Sequence, residues 1–220
     1  MKKFNMNRKV KGLVMVYVAV AIAGILFHVY NADWSAAGMG IVALITPWIA
    51  PLLLSWFSLS MTSEVWVLDL VFVFFASVIG SCFGGYQLPF FDKVLHFSSG
   101  LLIASAGAVL YMILAGDPMQ QRKSLQRLFL FFTIFTDLAV AVLWEFFEYM
   151  MLIFFQNDCI HHYDTGVHDS ITDMLCAFCA GLIVLWQFVR WMKTEKQGYF
   201  VRLCIRFYHA NLKEERKDPA

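Results

Sequence analysis

Six apolar runs, each long enough to cross a bilayer as a helix, take up most of this chain, with short polar stretches between them. The runs cover residues 13–30, 36–58, 65–86, 92–115, 127–155 and 169–192. A helical crossing takes roughly 20 mostly apolar residues. The pattern therefore predicts an all-α integral membrane protein, a bundle of about six transmembrane helices. No linker, repeat or low-complexity segment interrupts the series, so the reading is one polytopic membrane domain over 1–220, with 193–220 as a tail. Pro47 and Pro51 fall inside the second run, where each removes a backbone donor and predicts a kink. The tail sets Phe200, Leu203, Cys204 and Phe207 at helical spacing among Arg202, Arg206 and Lys213. Two placements are open for it: an amphipathic helix on the inner leaflet, or a solvated helix packed on the bundle.

Composition reinforces the class. The chain is 60% hydrophobic, 17% aromatic and 15% charged, whereas soluble domains carry about 25% charged residues. Nothing in it interleaves basic and aromatic residues as a nucleic-acid surface would, so no nucleic acid is expected as a partner. The five cysteines do not make a disulfide framework. Cys176 and Cys179 form a C-x-x-C inside an apolar run and read as packing thiols, while Cys82 and Cys159 can pair if both face an oxidising compartment.

Charge then sets direction. Sixteen of the 17 Lys and Arg residues lie in the N-terminal tail (Lys2, Lys3, Arg8, Lys9, Lys11), in the fourth connection (Arg122, Lys123, Arg127), and from Arg190 to the end. The first, third and fifth connections hold none. Under the positive-inside rule both termini are cytoplasmic, and the protein is integral to the plasma or inner membrane. A basic start, an apolar run and the small residues Ser35, Ala36 and Ala37 also resemble a signal peptide, but the run is long for one and reads as a retained anchor.

That topology turns scattered acids into a layer. Asp92, Lys93 and His96 open the fourth run, and Asp169 and Asp173 open the sixth. Glu145 and Glu148 lie in the outer half of the fifth, which runs the other way. Residues four apart, or three, share a helix face. Charges inside a bilayer are costly and face protein or water rather than lipid. Close packing is favoured by Gly100, Ala177, Ala180 and Gly181. Five carboxylates against one Lys and one His repel one another, so either some are protonated or a cation shares the site.

Simpler roles stand beside this one. Asp92 and Lys93 can be an interfacial pair with the lysine reaching to headgroups, His96 an interhelical hydrogen bond, and Asp169 a helix N-cap. Asp173, one turn deeper, cannot be that cap. Asp137 reads as locally hydrogen-bonded or as an inward extension of a proton path. His161, His162, Asp164 and His168 read as an unstructured polar loop, or as a metal site or lid.

The run Phe91-Asp92-Lys93-Val94-Leu95-His96-Phe97-Ser98-Ser99-Gly100, then Glu145 and Glu148, then Asp169-Ser170-Ile171-Thr172-Asp173-Met174 with Gly181, resembles the YjdF-type inner-membrane proteins. A looser similarity reaches the VanZ-like family, with its Asp-Lys, His, Glu, Asp order. Together these cover roughly 65–190. The resemblance implies a cell-envelope role, VanZ itself being associated with glycopeptide resistance, and it implies no particular reaction. It also implies an Asp or Asn one turn after Asp173, where this chain has Ala177.

Three functions follow. The first is a binding site in the outer half of the bilayer that takes a cation, an envelope lipid or another amphiphile. The second is a membrane-embedded enzyme, metal-dependent or acid/base, acting on a lipid-linked substrate, with Glu145, Glu148, Asp173 and His96 as its catalytic candidates. The third is a structural protein with internally paired acids. In the site models His96, Glu145, Glu148, Asp169 and Asp173 hold a divalent metal ion, and Asp92 and Lys93 meet the substrate; membrane lipids are partners in all of them. The acid excess suits a cationic ligand, and no phosphatase-like Arg cluster, H-E-x-x-H or G-x-S-x-G motif is present.

Overall fold

The computed structural model describes residues 6–159 and 161–215; Lys2, Lys3, Arg216 and Lys217 lie outside them. Every regular element among the described residues is helical. Six stretches are long and apolar enough to span a membrane: Arg8–Tyr30, Trp34–Trp56, Ser63–Cys82, Phe91–Ala115, Lys123–Phe155 and His168–Thr194. Each overlaps one predicted run. The chain divides into two compact units, Met1–Phe91 with His209–Ala220, and Asp92–Tyr208.

The first unit holds α1 (Arg8–Tyr30), α2 (Trp34–Ile45), α3 (Ile49–Trp56) and α4 (Ser63–Val73). Asn7 starts α1 by accepting the Val10 amide at 2.9 Å, a favourable N-cap. Val10, Tyr17 and Ala21 pack with Ala43, Trp66, Leu70 and Val78. The proline kink is resolved in atomic terms. α2 ends at Ile45, a 3₁₀ turn covers Thr46–Trp48, and α3 resumes at Ile49. Pro47 has no N–H for the carbonyl four residues back, that of Ala43. The Tyr17 hydroxyl donates to that oxygen at 2.7 Å and the Thr46 hydroxyl at 3.1 Å. A buried carbonyl is costly without a donor, so Tyr17 compensates for the proline. Tyr17→Phe is expected to destabilise the protein by about 1 kcal/mol, read as a lowered unfolding midpoint in detergent. Beyond α4 the helix widens into a π-helical segment, Phe74–Cys82, which buries Val78 and Cys82.

The second unit holds α5 (Phe91–Ala115), α6 (Lys123–Phe155), the single turn α7 (His162–Thr165), α8 (His168–Thr194) and the first part of α9 (Tyr199–Glu215). α5 and α8 run parallel and α6 antiparallel to them, since the first turns of α5 and α8 meet the second half of α6. Small residues set the crossings. A Cβ on Gly100 of α5 would collide with the backbone of Ala177 on α8, and one on Gly181 of α8 would overlap the Asp137 carboxylate of α6. Close approach of this kind drives helix association in lipid.

The buried stripe of each long helix is graded. On α8 it runs Asp169, Asp173, Ala177, Ala180, Gly181, Val184, Phe188, Trp191. On α5 it passes from His96 through Gly100, Ala104 and Ala108 to Tyr111 and Met112. α5 and α8 thus share a polar end, a small-residue waist and an aromatic end. At the latter, Phe129 stacks edge-on against Phe188 at 4.9 Å and Tyr111 at 5.2 Å between ring centroids. α9 buries Val201 and Cys204 in this aromatic core, the packed placement of the two open for the tail. Burial pushes the Cys204 thiol up to about 12, which leaves it inert.

All five cysteines are free thiols.

Candidate functional site

The polar end of the second unit gathers the acids. α5 is 25 residues, α6 is 33 and α8 is 27, or about 37, 50 and 40 Å at 1.5 Å per residue. All exceed a hydrocarbon core of about 30 Å. The first turns of α5 and α8 and the later turns of α6 form one end of these three helices.

Lys93 is the hub of one half. Its ammonium donates to Asp169 Oδ1 at 2.5 Å, to Asp173 Oδ2 at 2.7 Å and to the Asp169 backbone carbonyl at 3.4 Å, and it lies 3.7 Å from Asp92 Oδ2. This corrects two simpler readings. Lys93 does not reach away to headgroups; it crosses to α8, because two carboxylates there offer more than one interfacial neighbour. Asp169 does not cap α8 either. The cap position belongs to Val167, and the Asp169 side chain, one residue inside the helix, turns to the lysine.

His96 is the hub of the other half. Its Nε2 lies 3.6 Å from Asp92 Oδ1 and 3.9 Å from Asp173 Oδ1, beyond a direct hydrogen bond. Ligand atoms of Asp92, His96 and Asp173 lie within 4.8 Å of one another, and so do those of His96, Glu145 and Glu148. The predicted residues on α5, α6 and α8 therefore meet at one place, with Asp169 joined to it through Lys93.

Hydrogen bonding inside this group is incomplete. Glu145 is 6% exposed and Asp173 1%. Neither oxygen of Glu145 nor Asp173 Oδ1 has a hydrogen-bond partner, although the Ser170 hydroxyl lies beside Glu145. Buried acceptors without donors are rare and call for an explanation. Glu148 is better served, accepting from Trp144 Nε1 at 2.8 Å. Trp144 and Glu148 are four residues apart on α6, the helical spacing at which side chains meet. Ser99, three residues after His96, spends its hydroxyl on the His96 carbonyl at 2.8 Å.

For Asp137 the local hydrogen bond is corrected. The residue is 1% exposed, and neither oxygen finds a hydrogen-bond partner; it faces Gly181, which has no side chain to donate. Its distance along α6 from Glu145 is eight residues, about 12 Å, so it stands apart from the cluster.

The connection between α6 and α8 is more ordered than an unstructured loop. Asp158 accepts the His162 amide at 2.7 Å and the Tyr163 amide at 3.0 Å. Slight burial would raise its carboxyl, but these two amides outweigh that and hold it below its ordinary value. A depressed carboxylate contributes stability at neutral pH that is lost as pH falls through its folded value. Amide exchange at His162 and Tyr163, corrected for the intrinsic pH dependence of exchange, is therefore expected to accelerate below pH about 4, and Asp158→Asn should remove that pH step. His161, His162, Asp164 and His168 enter no metal-type grouping among the described residues. Cys159 of this loop does face the cluster: burial raises its thiol, and the Glu148, Asp158 and Asp92 carboxylates raise it further.

No curated protein and no solved structure matches the chain. The family described as "Predicted membrane protein (DUF2238)" matches residues 10–194, the six spans and the whole acid–histidine cluster, and the chain belongs to that family.

Proposed function

We propose that the protein binds a cation in the carboxylate–histidine pocket formed by Asp92, His96, Glu145, Glu148 and Asp173, with Asp169 held in place by Lys93. The observation that carries this reading is Glu145: a carboxylate 6% exposed, with the neighbouring Ser170 hydroxyl against two oxygens that lack geometrically formed hydrogen bonds, and grouped with His96 and Glu148 in metal-ligand range. The three N–H groups of Lys93 are already directed at Asp169 and Asp173. An anionic headgroup would have to displace them, so a cation or a cationic amphiphile fits better than a phosphate.

The basic residues at the far ends of these helices, Arg122, Lys123, Arg190 and Lys193, support cytoplasmic termini and a pocket facing outward across the plasma membrane. The YjdF-type and VanZ-like resemblance supports a role at the cell envelope. The imidazole–carboxylate neighbours at 3.6 Å also favour a second reading, acid/base or metal-dependent turnover of a lipid-linked substrate.

The test is cation binding by the purified protein in detergent. Glu145→Gln is expected to weaken it at least tenfold while the melting profile stays intact. Equal binding by the wild type and Glu145→Gln would defeat the proposal. Release of product from labelled envelope lipids, lost with the same variant, would move the assignment to an enzyme.

A further inference from the structure

Resting on the cation reading, we infer that the pocket takes one divalent metal ion of the borderline class, such as Fe²⁺, Co²⁺ or Zn²⁺, because His96 is shared by both ligand groups while Lys93 fills the Asp169–Asp173 half.

Charge argues for a divalent ion. Asp92, Glu145, Glu148, Asp169 and Asp173 carry five negative charges when ionised, against one from Lys93. Each short approach between like charges is unfavourable in a medium less polar than water. A primary amine would repeat what Lys93 already does; a small dication offsets twice the charge in less space.

Donor chemistry argues for the class. Mg²⁺ and Ca²⁺ are held by oxygen ligands and rarely by imidazole. Imidazole suits Fe²⁺ and Zn²⁺, which also accept carboxylates. Here the imidazole is 7% exposed and belongs to both groups, Asp92–His96–Asp173 and His96–Glu145–Glu148. That sharing sets the number. A neutral imidazole has one lone pair to give, its other nitrogen carrying a proton. The two groups are therefore alternative positions for one ion rather than two simultaneous sites.

Lys93 limits the number from the other side. By engaging Asp169 Oδ1 and Asp173 Oδ2 it closes off the outer carboxylates. Asp173 is left with Oδ1 turned toward His96, one oxygen anchored and the other open to the ion. Lys93 is thus a positioning residue: a tethered cation that orients two acids and keeps a second ion out.

The experiment is metal stoichiometry and competition on the detergent-purified full chain, loaded separately with Co²⁺, Zn²⁺, Mg²⁺ and Ca²⁺. One ion per chain is expected, with Co²⁺ or Zn²⁺ bound at least a hundredfold more tightly than Mg²⁺ or Ca²⁺. His96→Gln should erase that preference, and the Co²⁺ spectrum should lose its nitrogen signature. Lys93→Met, purified with metal present, should bind two ions, and Lys93→Arg one. Glu148→Gln, which is less buried than Glu145, serves where other variants fail to fold, and should weaken binding tenfold or more. Tight Mg²⁺ or Ca²⁺ binding indifferent to His96→Gln would overturn the class while leaving the cation reading intact. Two ions in the wild type would overturn the tethered-cation role. Binding of a long-chain amine but of no metal would overturn this inference alone, and binding of neither would defeat the cation reading as well.

Discussion

Gly100→Ala is expected to destabilise the second unit by more than about 3 kcal/mol, at or above the upper end of what overpacking usually costs. A Cβ there meets the carbonyl oxygen, carbonyl carbon and Cα of Ala177. These are backbone atoms of a neighbouring helix, which cannot rotate aside as a side-chain tip can. Relief requires α5 and α8 to move apart. The same crossing lies one turn below His96 and Asp173, so separation also pulls Lys93 from its carboxylates. Loss of stability and loss of any bound ion should therefore appear together. Gly12→Ala and Gly38→Ala supply the control: nothing lies within 4 Å of a Cβ at either position. Within a helix alanine is favoured over glycine by about 1 kcal/mol, so these changes should leave the unfolding midpoint unchanged or higher. If Gly100→Ala unfolded at the wild-type midpoint, the close crossing would be wrong. Gly181→Ala should fall between, because there the obstacle is the Asp137 carboxylate, which can turn.

The membrane class and the six spans were legible because length and apolarity alone determine what can cross a bilayer. The span ends read from the sequence differ from the observed ones by a few residues, as at 13 against Arg8 or 127 against Lys123, since a helix runs on into its polar flanks. The proline kink was legible for the same local reason. Its remedy was not: nothing local says that Tyr17, in another helix, would supply the donor Pro47 removes. Convergence of the acids was legible because topology and rise per residue place side chains by depth. What depth cannot give is the partner. Lys93 reaching along its own helix to headgroups and Lys93 crossing to α8 use the same flexible stem, and only the packing at Gly100 and Ala177 brings Asp169 and Asp173 within its range. Asp169 as a cap failed for a related reason. The helix starts one residue earlier than its acid, so the carboxylate was released for tertiary use. The π-helical segment at Phe74–Cys82 left no mark in the hydrophobic pattern, because a wider helix satisfies lipid just as an α-helix does.

Lys93→Met tests the electrostatic centre most severely. Removing one member of a buried ion pair strands the other, at a cost of about 3–5 kcal/mol. Here two carboxylates are stranded, and Asp173 is 1% exposed, so water cannot easily take over for the ammonium. The metal-free variant is expected to lose stability in that range. Two additions should restore it. A saturating divalent ion can enter the half that Lys93 vacated, and the resulting stabilisation grows with the logarithm of its concentration. Alternatively, Asp173→Asn in the same chain removes one of the two stranded charges, so the double variant should be more stable than the sum of its single changes implies. That sign follows only if Lys93 and Asp173 interact directly, as their 2.7 Å separation requires. Strict additivity of the two substitutions, measured by denaturant unfolding in detergent, would place Lys93 outside the cluster and remove the physical basis for a tethered cation.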